Sequence, residues 1–214
     1  NLLLKAPLIA VFNGNAVNTE YANHARDNKD CYLISAGGWN ENVSYSNRMV
    51  RSKDSFDLYL VDKIESSYDL VNCGTSFKLF FSYGCEDCIE SYFLFDCRNC
   101  SNCFGCVGLR NKSYHIFNEP FTKEEYIEKL KSIDLGNFKV FHEMKKRYAE
   151  LVLKVPKKYM YSFHIENVVG DIVGETKNCY SCFDILQVEN SKYISWGGFN
   201  LKDSYDVYGA GTNG

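Results

Sequence analysis

Three prolines in 214 residues are too few for a disordered, proline-rich linker chain. No apolar run approaches the roughly 18 residues that a bilayer-spanning helix needs, so no membrane segment is expected. Neither sign of charge dominates. Lys plus Arg number 24, Asp plus Glu 27, and the formal net charge is -3, which leaves no electrostatic footprint for nucleic acid or a polybasic membrane contact. The four histidines, His24, His115, His142 and His164, show no ligand spacing. The glycine-containing pieces SYGCEDC and YGAGTNG lack the G-x-G-x-x-G and Gly-Lys-Ser forms that cradle phosphate. Hairpin turn pairs are confined to Asn13-Gly14 and Asn213-Gly214, which argues against a meander of antiparallel hairpins. Threonine is too scattered for the stacked column of an ice-binding face. What is abundant is thiols and rings: ten cysteines, 16 tyrosines and 15 phenylalanines.

These residues recur every twelve positions. From Cys31 one column reads Cys31, Val43, Ser55, Ser67, Leu79, Ser91, Cys103. The next position reads Tyr32, Ser44, Phe56, Tyr68, Phe80, Tyr92, Phe104, aromatic in six of seven rungs. Further columns start at Ile34, at Gly37 and at Asn40, the last continuing Ser52, Ile64, Ser76, Cys88, Cys100. The repeat unit has room for short strands of β-branched and aromatic residues bounded by Asp, Asn, Ser and Gly, and none for a helix. The pattern predicts a mainly β fold, a right-handed parallel β-helix or solenoid with a sequence period of about 12 residues, interrupted by a two-helix segment. Equivalent residues would stack about 4.8 Å apart, with the aromatic column forming a ring ladder along one face. A period of twelve fits either one tight coil or half of a coil of about 24 residues. The larger coil is the expectation, because GGWN at Gly37–Asn40 and the bulky rings would crowd a small one.

From Thr122 the period becomes helical. Thr122 with Glu125 forms a capping box, and Tyr126, Ile127, Leu130 and Ile133 make an apolar stripe. A second helix is expected from about Phe138 to Leu153, ended by Pro156, with Lys145, Lys146 and Arg147 on its solvated side. The strand pattern then returns, with Cys179, Ser191 and Asp203 twelve apart, as are Cys182, Ile194 and Asp206. LLLKAP at Leu2–Pro7 matches LVLKVP at Leu151–Pro156, and NKDCY at Asn28–Tyr32 matches TKNCY at Thr176–Tyr180, so a duplication of about 148 residues overlies the short repeat. The expected organisation is a helical end and lead-in over 1–18, a first solenoid over 19–118, a helical insertion or cap over 119–156 and the start of a second solenoid over 157–214. On this reading the sequence is an excerpt of a longer protein. The helices should lie against the solenoid side or cap its end, since an amphipathic pair cannot bury its face alone.

NKDCYL at Asn28, the long stretch CRNCSNCFGCVGLRNKSYHIFNEPFTKEEY from Cys97 to Tyr126, KNCYSCFD at Lys177 and KDSYDVYG at Lys202 together resemble a family of uncharacterised cysteine-rich repeat proteins of candidate-phyla bacteria. The resemblance implies a solenoid fold. Some members carry an amino-terminal zinc-ribbon segment that does not occur in these 214 residues. It implies no activity for any residue.

The cysteines leave alternatives open. Cys85-x2-Cys88 and Cys97-x2-Cys100 are offset by one repeat and could supply four thiolates to a tetrahedral zinc ion. Against this, Cys73, Cys85 and Cys97 share a column with Met49, Val61 and Leu109, and Cys88 and Cys100 share one with Ile64 and Ser76. Such exchange suits small buried thiols in two parallel interior ladders. Disulfides between neighbouring rungs are a third possibility, and an iron–sulfur run is disfavoured by CFGCVG. Reduced thiols would favour a cytoplasmic compartment. The repeated acids Asp57, Asp69 and Asp206 suggest turn capping rather than one catalytic centre. No catalytic residue is assigned. The function expected is a non-catalytic structural or protein-interaction scaffold of unknown partner, other segments of the same longer chain being one candidate, with no bound cofactor. The alternatives are a structural zinc protein and a carbohydrate- or peptide-binding module using the aromatic face.

Overall fold

A computed structural model describes residues 13–210. The LLLKAP match and the final Asn213-Gly214 pair lie outside them. Residues 13–155 and 156–210 belong to two compact units.

In the first unit successive segments pair in parallel from Asn13 through Ile116, each residue beside the one twelve positions on: Glu20 with Tyr32, Val43 with Ser55, Leu58 with Leu70, Leu79 with Ser91. The fold is a parallel β-helix. Its coil is therefore twelve residues, and the larger coil expected above is incorrect. Two facts remove the crowding that favoured it. The rings point outward, with Tyr32, Phe56 and Tyr68 exposed. Gly37 faces inward, and a Cβ there would lie 2.9 Å from Met49 Cε, so the glycine makes room for the methionine of the next rung. The ladder also begins earlier than expected, since Asn13 and Gly14 already pair with Ala25 and Arg26.

A twelve-residue coil closes because every third residue turns a corner. Asn42, Tyr45, Arg48, Arg51, Asp54 and Asp57 all have φ between 49° and 56°. Each rung thus has four three-residue sides with one residue of each pointing in. The left-handed region costs about 1 kcal/mol for an ordinary residue and less for Asn or Asp. Asn and Asp accordingly crowd the corners and bond rung to rung: Asn15 Nδ2 donates to Asp27 Oδ1 at 3.1 Å, Asn18 to Asp30 at 3.0 Å, Asn42 to Asp54 at 2.8 Å. Asp57, Asp69 and Asp206 occupy such corners.

The four inward columns are those that begin at Cys31, Ile34, Gly37 and Asn40, and all but a few of their members are buried. Serine is common there because its hydroxyl serves the backbone twice. Ser67 Oγ donates to Glu65 O at 2.9 Å and accepts from Leu79 N at 3.0 Å; Ser55, Ser76, Ser82 and Ser91 repeat the arrangement. Asn28 and Asn40 extend the idea, with Asn40 Nδ2 donating to Asn28 Oδ1 at 2.9 Å.

The stack ends at Ser113–Ile116, against which Glu119–Pro120 folds back antiparallel. Helix α1 (Lys123–Lys131) follows with its Thr122–Glu125 capping box, then α2 (Phe138–Lys154), capped by Asn137. Tyr126 of α1 is buried and meets the Tyr114 ring at 5.8 Å. The helices pack on the solenoid in one apolar cluster with Phe93, Phe104, Ile116 and Phe117. They thereby shield both its last rungs and part of its flank.

The second unit is also a parallel β-helix, with strands from Ser162 to Ala210, but its rungs are uneven. Glu166 pairs with Lys177, eleven on; the register shifts between Val169 and Gly170; and Val188 pairs with Leu201, thirteen on. The extra residue falls in the GGFN segment, where Gly198 has φ +88°. Hence Ser204, not Asp203, stacks on Ser191, donating its N–H to Ser191 Oγ at 3.1 Å, and Val207, not Asp206, stacks on Ile194. The twelve-residue spacing of the two aspartates is real in sequence but places them on corners.

Candidate functional site

Two features stand out, the thiol core and an aromatic-walled trough. Cys73, Cys85 and Cys97 form one inward ladder, and Cys88 and Cys100 the adjoining one; none is more than 4% exposed. Cys97, Cys100, Cys103 and Cys106 fill all four inward positions of a single rung. The zinc candidates Cys85, Cys88, Cys97 and Cys100 are therefore neighbours, two sides of two successive rungs. Each thiol points at the carbonyl two residues back: Cys85 at Tyr83 O (3.4 Å), Cys88 at Glu86 O (3.3 Å), Cys97 at Phe95 O (3.5 Å), Cys100 at Arg98 O (3.3 Å). These are the bonds serine makes in the same columns, which is why the two residue types exchange. Among the described residues no three Cys, His, Asp or Glu side chains are disposed to hold a metal ion.

Burial pushes the Cys85 thiol well above its ordinary value. The hydrogen bond to Cys100 pushes Cys88 up to about 12 and raises Cys97 as well. Cys100 itself is lowered, since Cys103, Cys88 and Cys97 all hydrogen-bond to it. In the second unit Cys179 and Cys182, inward residues of adjacent sides in one rung, form a disulfide with a Cα–Cα distance of 6.2 Å. This bridge lies within a rung rather than between rungs.

The trough lies on the side whose inward column begins at Ile34. Aromatic corner residues form one wall. Over the last rungs the wall is Phe81, Phe93 and Phe117, and α2 lies against it. Phe141 meets Phe81 at 5.1 Å and Phe93 at 5.7 Å; Tyr148 meets Phe93 at 5.7 Å and donates its hydroxyl to Leu94 O at 3.1 Å. Arg147 stacks its guanidinium over Phe117 at 3.9 Å. Gly105 leaves a gap in this wall, and the Phe117 ring occupies it: a Cβ at Gly105 would lie 2.5 Å from that ring.

Over the earlier rungs none of the described residues covers the same side. There it is a shallow groove of about 580 Å³, walled by Tyr21, Leu33 and Tyr45 on the corners and by Asn47, Tyr59 and Val71 opposite. Tyr21, Leu33 and Tyr45 are 71%, 49% and 55% exposed, against 1% for Phe93 beneath α2. Asp57 is the one carboxylate lining the groove, and no histidine, cysteine or lysine joins it. The twelve-residue period marks the ring ladder at Tyr32 but not the neighbouring corner column of Tyr21, Leu33, Tyr45, Phe81 and Phe93. That column mixes rings with Asp57, Asp69 and Gly105, so no single residue type marks it.

Fold and site together define a short-coil parallel β-helix with a partly filled lateral trough. No protein-family model matches the chain, and no curated protein does. Among solved structures, a putative acetyltransferase from Bacillus cereus, product of the BC4754 gene, aligns over 65% of this chain and 90% of its own at 9% identity and a TM-score of 0.18. The polySia-specific acetyltransferase NeuO aligns over 94% of this chain and 81% of its own at 10% identity and a TM-score of 0.12. Likenesses of that size carry no argument about activity. The β-helix assignment rests on the strand register.

Proposed function

We propose that this protein is a non-catalytic solenoid scaffold whose open trough binds another polypeptide. The observation that carries this reading is continuity: the side of the coil that α2 covers over its last rungs runs on over the rungs before, where none of the described residues covers it. The groove lining offers no nucleophile–base pair and a single carboxylate, which supports binding over catalysis. A polypeptide suits it better than a sugar. The exposed rings meet edge to face, Tyr21 with Tyr32 at 83° and Tyr32 with Tyr45 at 76°, and offer no flat platform for a pyranose. The flat pairs lie elsewhere: Phe81 with Phe93 at 15° beneath α2, and Phe80 with Tyr92 and Tyr83 with Phe95, each at 11°, outside the groove lining. A zinc role for Cys85, Cys88, Cys97 and Cys100 would require these groups to give up their protons and their carbonyl contacts.

The test is selection from a random-peptide display library against the full chain, with the Leu33→Asn/Tyr45→Asn variant as counter-target. Both positions are left-handed corners, at φ 50° and 54°, where asparagine is at ease. Peptides that bind the parent and not the variant are expected. A library that yields none would remove the reading.

A further inference from the structure

Resting on that scaffold reading, we propose that the open stretch of the trough receives a second amphipathic helix, from a partner chain, with aromatic residues seven positions apart and a basic flank. The resident helix defines the specification. α2 presents Phe141 and Tyr148, seven apart and so on one face, to the wall formed by Phe81 and Phe93. It places a cation, Arg147, over a wall ring.

The open stretch repeats the elements that α2 uses. Its corner wall is Tyr21, Leu33 and Tyr45, in the same column as Phe81 and Phe93. Its floor is Ile34, Ser46, Leu58 and Leu70, in the same column as Leu94, whose carbonyl α2 engages. The interface is already established on one part of this side, and the part that none of the described residues covers continues it along the same floor column, past the Asp57 and Asp69 corners. From Tyr21 to Asp57 the wall spans three rung spacings, about 14 Å, which roughly ten helical residues cover. That is long enough for two rings seven apart. Asp57, the one carboxylate along the groove, selects for Lys or Arg on the helix flank, as Arg147 flanks the resident rings. An extended strand would be a poorer occupant, because the side's backbone groups are already engaged with the rungs above and below. Ser35 pairs with Asn23 and Asn47, and Tyr59 with Asn47 and Val71.

A fluorescein-labelled peptide of residues 137–155 serves as the probe, titrated into the full chain and followed by polarisation. Saturable binding is expected. It should weaken at least about tenfold in the Leu33→Asn/Tyr45→Asn variant, and as much when the peptide carries Phe141→Ala and Tyr148→Ala. Circular dichroism and the thermal midpoint of the variant must match the parent, so that the loss reports the groove and not the fold. Absence of binding overturns the proposal. Equal binding to parent and variant overturns it too, because the peptide would then be exchanging with the resident α2. Library peptides that bind the groove without gaining helicity would reject the helical partner and leave the scaffold reading intact. If neither the library nor the probe binds, both fall.

Discussion

Removing one inward hydroxyl should reveal how much of the stability rests on side chains standing in for backbone partners. Ser67 is 2% exposed, and Leu79, one rung on, is fully buried. Ser67→Ala deletes one atom, keeps the Cβ packing and takes away both the 2.9 Å bond to Glu65 O and the 3.0 Å bond from Leu79 N. A buried amide left without its partner costs about 1–3 kcal/mol, so a loss of about 2 kcal/mol is expected. Ser67→Cys should cost about half of that. The thiol can still donate to Glu65 O, as Cys103 does to Ser101 O at 3.4 Å in the same column, but sulfur accepts the Leu79 amide poorly. Equilibrium urea unfolding followed by far-ultraviolet circular dichroism measures both variants against the parent. A shift for Ser67→Ala below about 0.5 kcal/mol at unchanged m would refute the reasoning, as would a cysteine variant less stable than the alanine one.

The thiols should behave differently from the hydroxyls. Tyr83 O keeps the Asp96 N–H at 2.9 Å when Cys85 loses its sulfur, and Val61 already stands in that column, so Cys85→Val should cost only about 1 kcal/mol. Elemental analysis of both proteins goes with that measurement, and tightly held zinc that disappears in the variant would contradict the packing account. Phe93→Ala, at the centre of the ring cluster beneath α2, should cost about 3–5 kcal/mol, with hydrogen exchange accelerating first along Phe138–Lys154. Burial raises the Glu86 carboxyl above its ordinary range, with Asp87 adding to the shift. The folded state therefore holds that proton more tightly than the unfolded chain, and stability falls as pH rises through the folded value. Glu86→Gln should raise the urea midpoint at pH 7 and leave it unchanged below about pH 4, where both states are protonated; a lowered midpoint at pH 7 would contradict the sign.

The four columns that line the interior were legible in the sequence, because stacking imposes one chemical environment on residues twelve apart. The exchange of Cys with Ser, Val and Leu in those columns marked the thiols as interior, and the two helices announced themselves through Thr122–Glu125 and their apolar stripes. Coil size was not legible, since a period of twelve is the same for one tight coil and for half of a larger one. Only the strand register, Glu20 beside Tyr32 and so on up the stack, decided it. The left-handed corners were hidden as well: Tyr45, Arg48 and Leu60 are not residues that advertise positive φ, and they adopt it because the rungs above and below hold them there. The one-residue insertion near Gly198 displaced Asp203 and Asp206 from the columns that spacing assigned them. The trough needed tertiary structure altogether. That Phe81 and Phe93 are covered while Tyr21 and Tyr45 stand open depends on where a helix some 60 residues later in the chain comes to rest, and a repeat treats those corners alike.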